Sequence, residues 1–266
     1  MSEAPAYETI IADAPPHLIF VCDHASNALP AGFEALGLAP ESFHHHIAYD
    51  IGAADVTRAM ANAFNAPALL GRYSRLLIDL NRGPDDPTLV MKLSDGAIIP
   101  GNARVDFAEI DRRTALYYRP YHDAIEAQIA RARSMEIAPV IISIHSFTPE
   151  WRGVGRPWQI GILWDRRDGR LAHPLMEELR REGDLIVGDN QPYSGELEHD
   201  CMAQHALRHG FAHALIEIRQ DLIADPPGAA RWAARLVPIL CRALERLDSA
   251  ATIGSAKHER SHAHGD

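Results

Sequence analysis

Short apolar runs alternating with helix-period stretches organise the chain from Leu18 to Leu247. The run Leu18-Ile-Phe-Val-Cys22 is unbroken and rich in β-preferring residues, which predicts a strand covered on both faces. Positions 50–65 carry Val56, Ala59, Met60, Ala63 and Phe64 at three-to-four spacing, the pattern of a helix with one buried stripe. Strands are predicted at 68–70, 76–80, 140–144, 159–164, 185–187 and 214–218, and helices at 106–133, 171–181, 200–209 and 229–247. Pro120 is expected to kink the 106–133 helix or to open its second part. Segments 82–103, 147–157 and 188–195 are rich in Gly, Pro and polar residues and read as loops. The first is long enough to suggest a functional or mobile loop. Alternating strands and helices imply an α/β fold with a mixed, mostly parallel sheet flanked by helices. We expect an N-terminal arm over 1–17, a single domain over 18–248, and a disordered tail over 249–266, where Ser, Ala, Gly, His and charged residues take over.

Composition narrows the function class. A net charge of −10 argues against a nucleic-acid footprint, which needs clustered Lys and Arg. No window approaches the apolar length of a membrane span, and no signal peptide is recognisable at the N-terminus. Cys22, Cys201 and Cys241 are few and widely spaced, with no C-x-x-C pair, so neither a disulfide framework nor a thiolate zinc site is expected. The expectation is a cytoplasmic enzyme acting on a small molecule, as a monomer or small homo-oligomer, with no nucleic-acid or membrane partner.

Ligands of open α/β sheets sit beyond the carboxyl ends of the strands. Three predicted strands end in, or contain, metal-capable or acid–base residues: Asp23-His24, His145-Ser146, and Glu217 with Arg219 and Asp221 beyond it. If those ends are adjacent, two imidazoles and a carboxylate converge in one cleft, the set that metal-assisted hydrolysis requires. Singly, each histidine is as readily a hydrogen-bonded structural residue, and Glu217 could simply pair with Arg219. Arg75 and Asn81-Arg82 bracket the 76–80 run, and an arginine fork suits a substrate carboxylate, though local ion pairs with Asp79 are the plainer alternative. The triplet His44-His45-His46 cannot turn three side chains to one ion, and His46, nearest Asp50, is its best candidate. Serine chemistry has no support: there is no G-x-S-x-G elbow, and Ser146 should point away from the face that His145 occupies.

These residues form an ordered series. Asp23-His-Ala-Ser-Asn27, Tyr49-Asp-Ile-Gly52, Arg75-Leu-Leu-Ile-Asp-Leu-Asn-Arg82, Ile144-His-Ser146 and Ile216-Glu-Ile-Arg-Gln-Asp221 resemble the motifs of N-formylglutamate amidohydrolases. The resemblance spans about 18–240. It implies a fold similar to that of the zinc carboxypeptidases and of the succinylglutamate and aspartoacyl deacylases, a phosphorylase/hydrolase-like or zinc-exopeptidase-like architecture. It also implies one divalent metal, zinc by preference, bound by His24, His145 and a carboxylate, with Asp50 first and Asp23 second. Glu217 is implied as general base, Arg75 as oxyanion stabiliser, and Asn81 with Arg82 as the clamp for a substrate carboxylate. Beside the resemblance, Tyr193 in the 190–195 loop and Arg219 after the last strand are further candidate substrate contacts, the loop being as readily a plain Pro/Gly turn. The pattern H-x-x-E of the carboxypeptidases is missing, because Asn27 stands where its Glu would be. The implied substrate is an N-formyl or other N-acyl amino acid. The alternatives are a metallopeptidase or deacylase for a larger N-acyl group, or a degenerate binder of an acidic small molecule.

Overall fold

The continuous apolar runs become the middle of one sheet. In a computed structural model that describes residues 5–262, with side chains described for 5–249, seven strands pair: β1 (Tyr7–Ile10), β2 (Leu18–Cys22), β3 (Ala68–Gly71), β4 (Val140–Phe147), β5 (Ile160–Leu163), β6 (Val187–Asp189) and β7 (His213–Arg219). Their order is β1-β3-β2-β4-β7-β5-β6. The central four are mutually parallel, whereas β5 and β6 run opposite to β7, and β1 is antiparallel to β3 at the other edge. The sheet is therefore mixed and mostly parallel. Part of the expected N-terminal arm is structural, since Tyr7–Ile10 supplies an edge strand.

Alternation along the strands sorts the core into two layers. Phe20, Cys22, Ile142, Ile144, Ala214, Ile216 and Ile218 face one way, against α1 (Ala53–Phe64), α4 (Ala172–Arg181) and α6 (Pro226–His262). Ile19, Val21, Ile141 and Leu215 face the other way, against α3 (Arg119–Ser134) and α5 (Cys201–His205), with α2 (Phe107–Arg113) beside them. Between α2 and α3 the chain makes a π-helical turn, Thr114–Tyr118, and Pro120 is the second residue of α3, directly after that turn, in a helix that runs on without a break. The tail expected over 249–266 lies, Ser249 apart, outside the residues whose side chains are described. Among the described residues no helix is long and apolar enough to cross a membrane.

Two expectations are corrected. The 76–80 run is buried but is no strand; it is a turn-rich loop. Its backbone is satisfied by loop partners instead of a sheet neighbour: Asp79 N donates to Leu89 O (2.8 Å), Asn102 Nδ2 to Leu76 O (2.8 Å) and Arg113 Nη1 to Leu77 O (2.8 Å). Full burial with a non-repeating backbone looks like a central strand to any pattern reading. The 50–65 helix begins later, at Ala53, because Gly52 turns the chain with φ +81°. Its buried face is Ala53, Val56, Thr57, Met60 and Ala61, while Ala63 is exposed.

Gly52 holds the approach to that helix. An added Cβ would lie 2.0 Å from the carbonyl oxygen of Ile223, at a φ that L side chains seldom adopt. Gly52→Ala is expected to destabilise the protein by about 1–3 kcal/mol, as overpacking against fixed backbone does. Chemical denaturation reads this as a lower midpoint at unchanged slope. An unchanged midpoint would show that the segment is free to move.

Candidate active site

Strands β2, β4 and β7 are neighbours and parallel, so the three polar strand ends do meet. In the β4–β7 register Glu217 sits opposite His145, and in the β5–β7 register it sits opposite Gly161. His145, Glu217 and Gly161 thus form a row on the Ile141/Leu215 face of the sheet. His24 follows β2 by two residues. Asp50 is pinned beside it by backbone, because Asp50 N donates to His24 O (3.0 Å). Arg75 is fixed in the same way, its N bonding Ala48 O (3.2 Å), and Ser74 Oγ donates to that carbonyl as well (2.8 Å).

The side chains form a buried ionic network centred on one oxygen. Asp50 Oδ2 lies 2.7 Å from His145 Nδ1 and 3.3 Å from His24 Nδ1. Each imidazole has a carboxylate behind it: His24 Nε2 is 2.7 Å from Asp79 Oδ1, and His145 Nε2 is 3.2 Å from Asp23 Oδ2. Tyr121 OH donates to the other oxygen of Asp23 (2.7 Å), and Arg75 Nη2 donates to Asp79 Oδ2 (2.9 Å), with its Nη1 3.5 Å from Asp50 Oδ1. An ionised carboxylate only accepts, so both Nε2 atoms carry their protons and both Nδ1 atoms are turned to the same Asp50 oxygen.

The electrostatics follow from burial. Burial penalises charge at Asp50, but the His24 and His145 rings more than offset it and hold this carboxyl below its ordinary range. Burial likewise opposes charge at Asp79, and Arg75 with His24 drives that carboxyl well below its usual value. At His145, burial is overcome by Asp23 and Asp50, which raise the ring's pKa well above normal; at His24, burial and Arg75 are overcome by Asp79 and Asp50. Glu217 is the exception. Burial pushes it up to about 7, with His145 opposing and Asp50 adding. Its Oε2 is buried with no hydrogen-bond partner. Four carboxylates (Asp23, Asp50, Asp79 and Glu217) therefore share this interior, and Arg75, hydrogen-bonded to Asp79, is the permanent cation set among them, with Arg82 farther along the cavity wall.

His24, Asp50 and His145 each present a ligand atom, all within 4.8 Å of one another, and all three residues are buried. A cavity of about 330 Å³ opens over them, lined also by His46, Arg75, Asn81, Arg82, Phe147 and Tyr193. The donor set is nitrogen and oxygen, and each ring is backed by a carboxylate, the arrangement that fixes tautomer and basicity in zinc sites. Such residues fit a divalent cation, which would take the place of the protons that the two rings otherwise hold against Asp50.

The other expected residues divide. Arg82 lines the cavity with its Nη1 on Asn81 O (3.2 Å). Asn81 lines it too, but its Oδ1 accepts from Cys201 N (3.0 Å). Tyr193 is in the wall; Arg219 is not among the lining residues, and its guanidinium is held by Asp221 (2.8 and 3.2 Å). Asp23 backs His145 and is not one of the three grouped ligand atoms. His46 reaches the cavity rim, 3.3 Å from Asp95. Ser146 also borders the cavity, and its Oγ donates to Ile51 O (2.8 Å). Sequence reasoning missed Arg156. Its Nη1 donates to Thr148 Oγ1 (3.0 Å) and lies 3.3 Å from Tyr193 OH, and its guanidinium is 5.1–5.7 Å from the ring centres of Phe147, Trp151 and Tyr193. The signal available was an arginine set among aromatics in a short loop.

Comparisons with known proteins identify the family. The sequence profile of the N-formylglutamate amidohydrolase family matches residues 17–224. A comparison with curated proteins finds no match. Among solved structures, a gene product of Agrobacterium tumefaciens is similar at TM-score 0.88 and 36% identity, covering 92% of this chain and 97% of that one. A Ralstonia eutropha JMP134 structure described as an N-formylglutamate amidohydrolase is similar at TM-score 0.64 and 23% identity, covering 95% of this chain and 100% of that one, which at such identity speaks to fold. The strand-end cluster and a family match over most of the chain lead to one statement: this chain belongs to the N-formylglutamate amidohydrolase family and is an amidohydrolase.

Proposed function

We propose that the protein hydrolyses the amide bond of an N-formyl or other short N-acyl amino acid, with N-formylglutamate as the reference substrate, and that it does so with one divalent cation, zinc by preference, held by His24, Asp50 and His145. The observation that carries this reading is the pair of imidazoles that each give Nε2–H to a private carboxylate and turn Nδ1 to one shared oxygen of Asp50. When bound, such a cation supplies a water of lowered pKa and polarises an amide carbonyl.

The chain's own residues do the rest. Glu217 Oε2 is buried, unpartnered and close to neutrality in its proton affinity, which suits it to take a proton from the attacking water and deliver it to the leaving amine. Arg75, anchored by Asp79, presents fixed positive charge where negative charge develops on the acyl oxygen. Arg82, with Asn81 beside it, orients the substrate carboxylate. Tyr193, tied to Arg156, closes the far wall and excludes water. The competing reading is a peptide or a larger acyl group, and the cavity of about 330 Å³ favours the smaller substrate.

Purified protein is expected to hydrolyse N-formylglutamate, to lose that activity on chelation and to recover it with zinc. Turnover that ignores chelator would sink the cation's part, and a panel in which short peptides outrun formyl and acetyl amino acids would overturn the substrate class. Glu217→Gln should lower kcat by about 10²–10⁴-fold while the protein keeps its metal; near-normal turnover would remove the base assignment. Arg82→Ala should raise KM by about 10–100-fold, the loss of one charge-assisted contact, with kcat changed much less. Equal losses of kcat and kcat/KM would instead mean that Arg82 acts only in the transition state.

A further inference from the structure

Behind the Asn81–Arg82 wall lies a second cluster of metal-capable side chains. Cys201 and His205 are four residues apart, on one side of the single turn of α5, and His122 comes from α3. All three are buried, at 0%, 2% and 7% exposure, and each offers a donor atom within 4.8 Å of the others.

The protons of this cluster follow from its hydrogen bonding. His205 Nδ1 is 2.8 Å from Glu126 Oε1, so that nitrogen carries a proton. His205 Nε2 is 2.7 Å from His122 Nδ1. With the His122 proton on Nδ1, the chain Glu126–His205–His122 is satisfied link by link, and the ring-to-ring bond occupies the lone pair of His205 Nε2. His122 Nε2 is buried, and the Leu80 carbonyl is a backbone acceptor facing the ring, so a proton moved to Nε2 has a place to go. Burial and the neighbouring His205 hold His122 neutral, with its pKa down to about 3. The Cys201 thiol is buried and hydrogen-bonds the Asp23 carboxylate, with Asp200 near, so the local field is negative and holds the thiol protonated until a cation arrives.

We propose that His122, Cys201 and His205 form a second cation site, selective for a thiophilic ion of the zinc type and distinct from the His24–Asp50–His145 cluster. Two imidazoles and a thiolate are a softer set than the nitrogen–oxygen set of the catalytic cluster. Binding breaks the ring-to-ring bond: the His122 proton moves from Nδ1 to Nε2, which frees the lone pairs of His122 Nδ1 and His205 Nε2, 2.7 Å apart, for the ion, and the Cys201 thiol proton leaves to solvent. The role is structural bracing. Cys201 N holds Asn81 Oδ1 (3.0 Å), and Tyr118, whose ring lies 4.0 Å from that of His122, donates to Arg82 O (2.8 Å). An ion here would fix α5 and α3 together behind the two residues that face the substrate.

Cobalt separates the two sites, because only a thiolate ligand gives an intense sulfur-to-cobalt charge-transfer band in the near ultraviolet. Chelator-stripped full-length protein is titrated with Co²⁺. We expect two equivalents to bind, one of them bringing the charge-transfer band. Cys201→Ser should lose the band and one equivalent while keeping the visible bands of the other. His145→Gln should do the reverse, so that failure of the catalytic reading remains separate from failure of this one. A single equivalent with no charge-transfer band in the folded wild-type protein overturns the second site without recourse to any variant. Persistence of the band in Cys201→Ser overturns it as well, since the thiolate would then be another cysteine. His205→Gln repeats the test should Cys201→Ser not fold, with loss of the band expected and its full retention refuting.

Discussion

The structure turns on how to keep several carboxylates in an interior with little water. An isolated buried carboxylate is costly enough that it neutralises unless it is paired. Here Asp79 is paired with Arg75 and His24, Asp23 with Tyr121 and His145, and Asp50 with both rings. Glu217 alone has no such partner, and its affinity for a proton rises to about 7. One environment thus yields two kinds of carboxylate, three held ionised and one poised to exchange a proton. Pushing neighbouring groups apart in pKa is how a site divides acid and base duties.

Local sequence supports that arrangement at each approach. Gly52 permits the sharp entry to α1 beneath Ile223, and Ser74 caps a turn through Ala48 O. Asn102 and Arg113, both buried, satisfy the carbonyls of the 76–80 loop and so keep Asp79 in place without a strand beneath it. A third apolar cluster, with Leu36, Phe43, Ala48, Leu76, Met91 and Ile99, seats that loop. The clustered imidazoles and carboxylates stand on strand ends or on loops tied to them, and the outer wall of the cavity comes from the more exposed segment around Tyr193. The division matches the usual separation of scaffold from variable loop.

Much of this was legible in the sequence, for identifiable reasons. His24, His145 and Glu217 stood out because each interrupts or ends an apolar strand, where a polar side chain needs an explanation. A mostly parallel sheet followed from the alternation of elements, but the strand order that makes the three ends adjacent did not. Asp79 was harder, because the run Leu76-Leu-Ile-Asp-Leu80 has the composition of a strand, and only side chains distant in sequence make a loop of it. Arg219 looked like a substrate contact from its place after β7, but Asp221, two residues on, takes its guanidinium. Cys201 carried no C-x-x-C partner, and nothing along the chain announces that His122 lies beside His205, 83 positions away. Contacts of that kind belong to helix packing and leave no local trace.

The opposition of His145, Glu217 and Gly161 across three strands has a consequence for folding fidelity. Side chains alternate faces along a strand, so a slip of β7 by one residue would send Glu217 into the apolar layer against α6 and bring Ile216 or Ile218 to the metal-capable face. The penalty for misregistration is therefore paid in chemistry as well as in packing. A slipped strand would leave a carboxylate among apolar side chains, so the site's own polarity selects the alignment of β7.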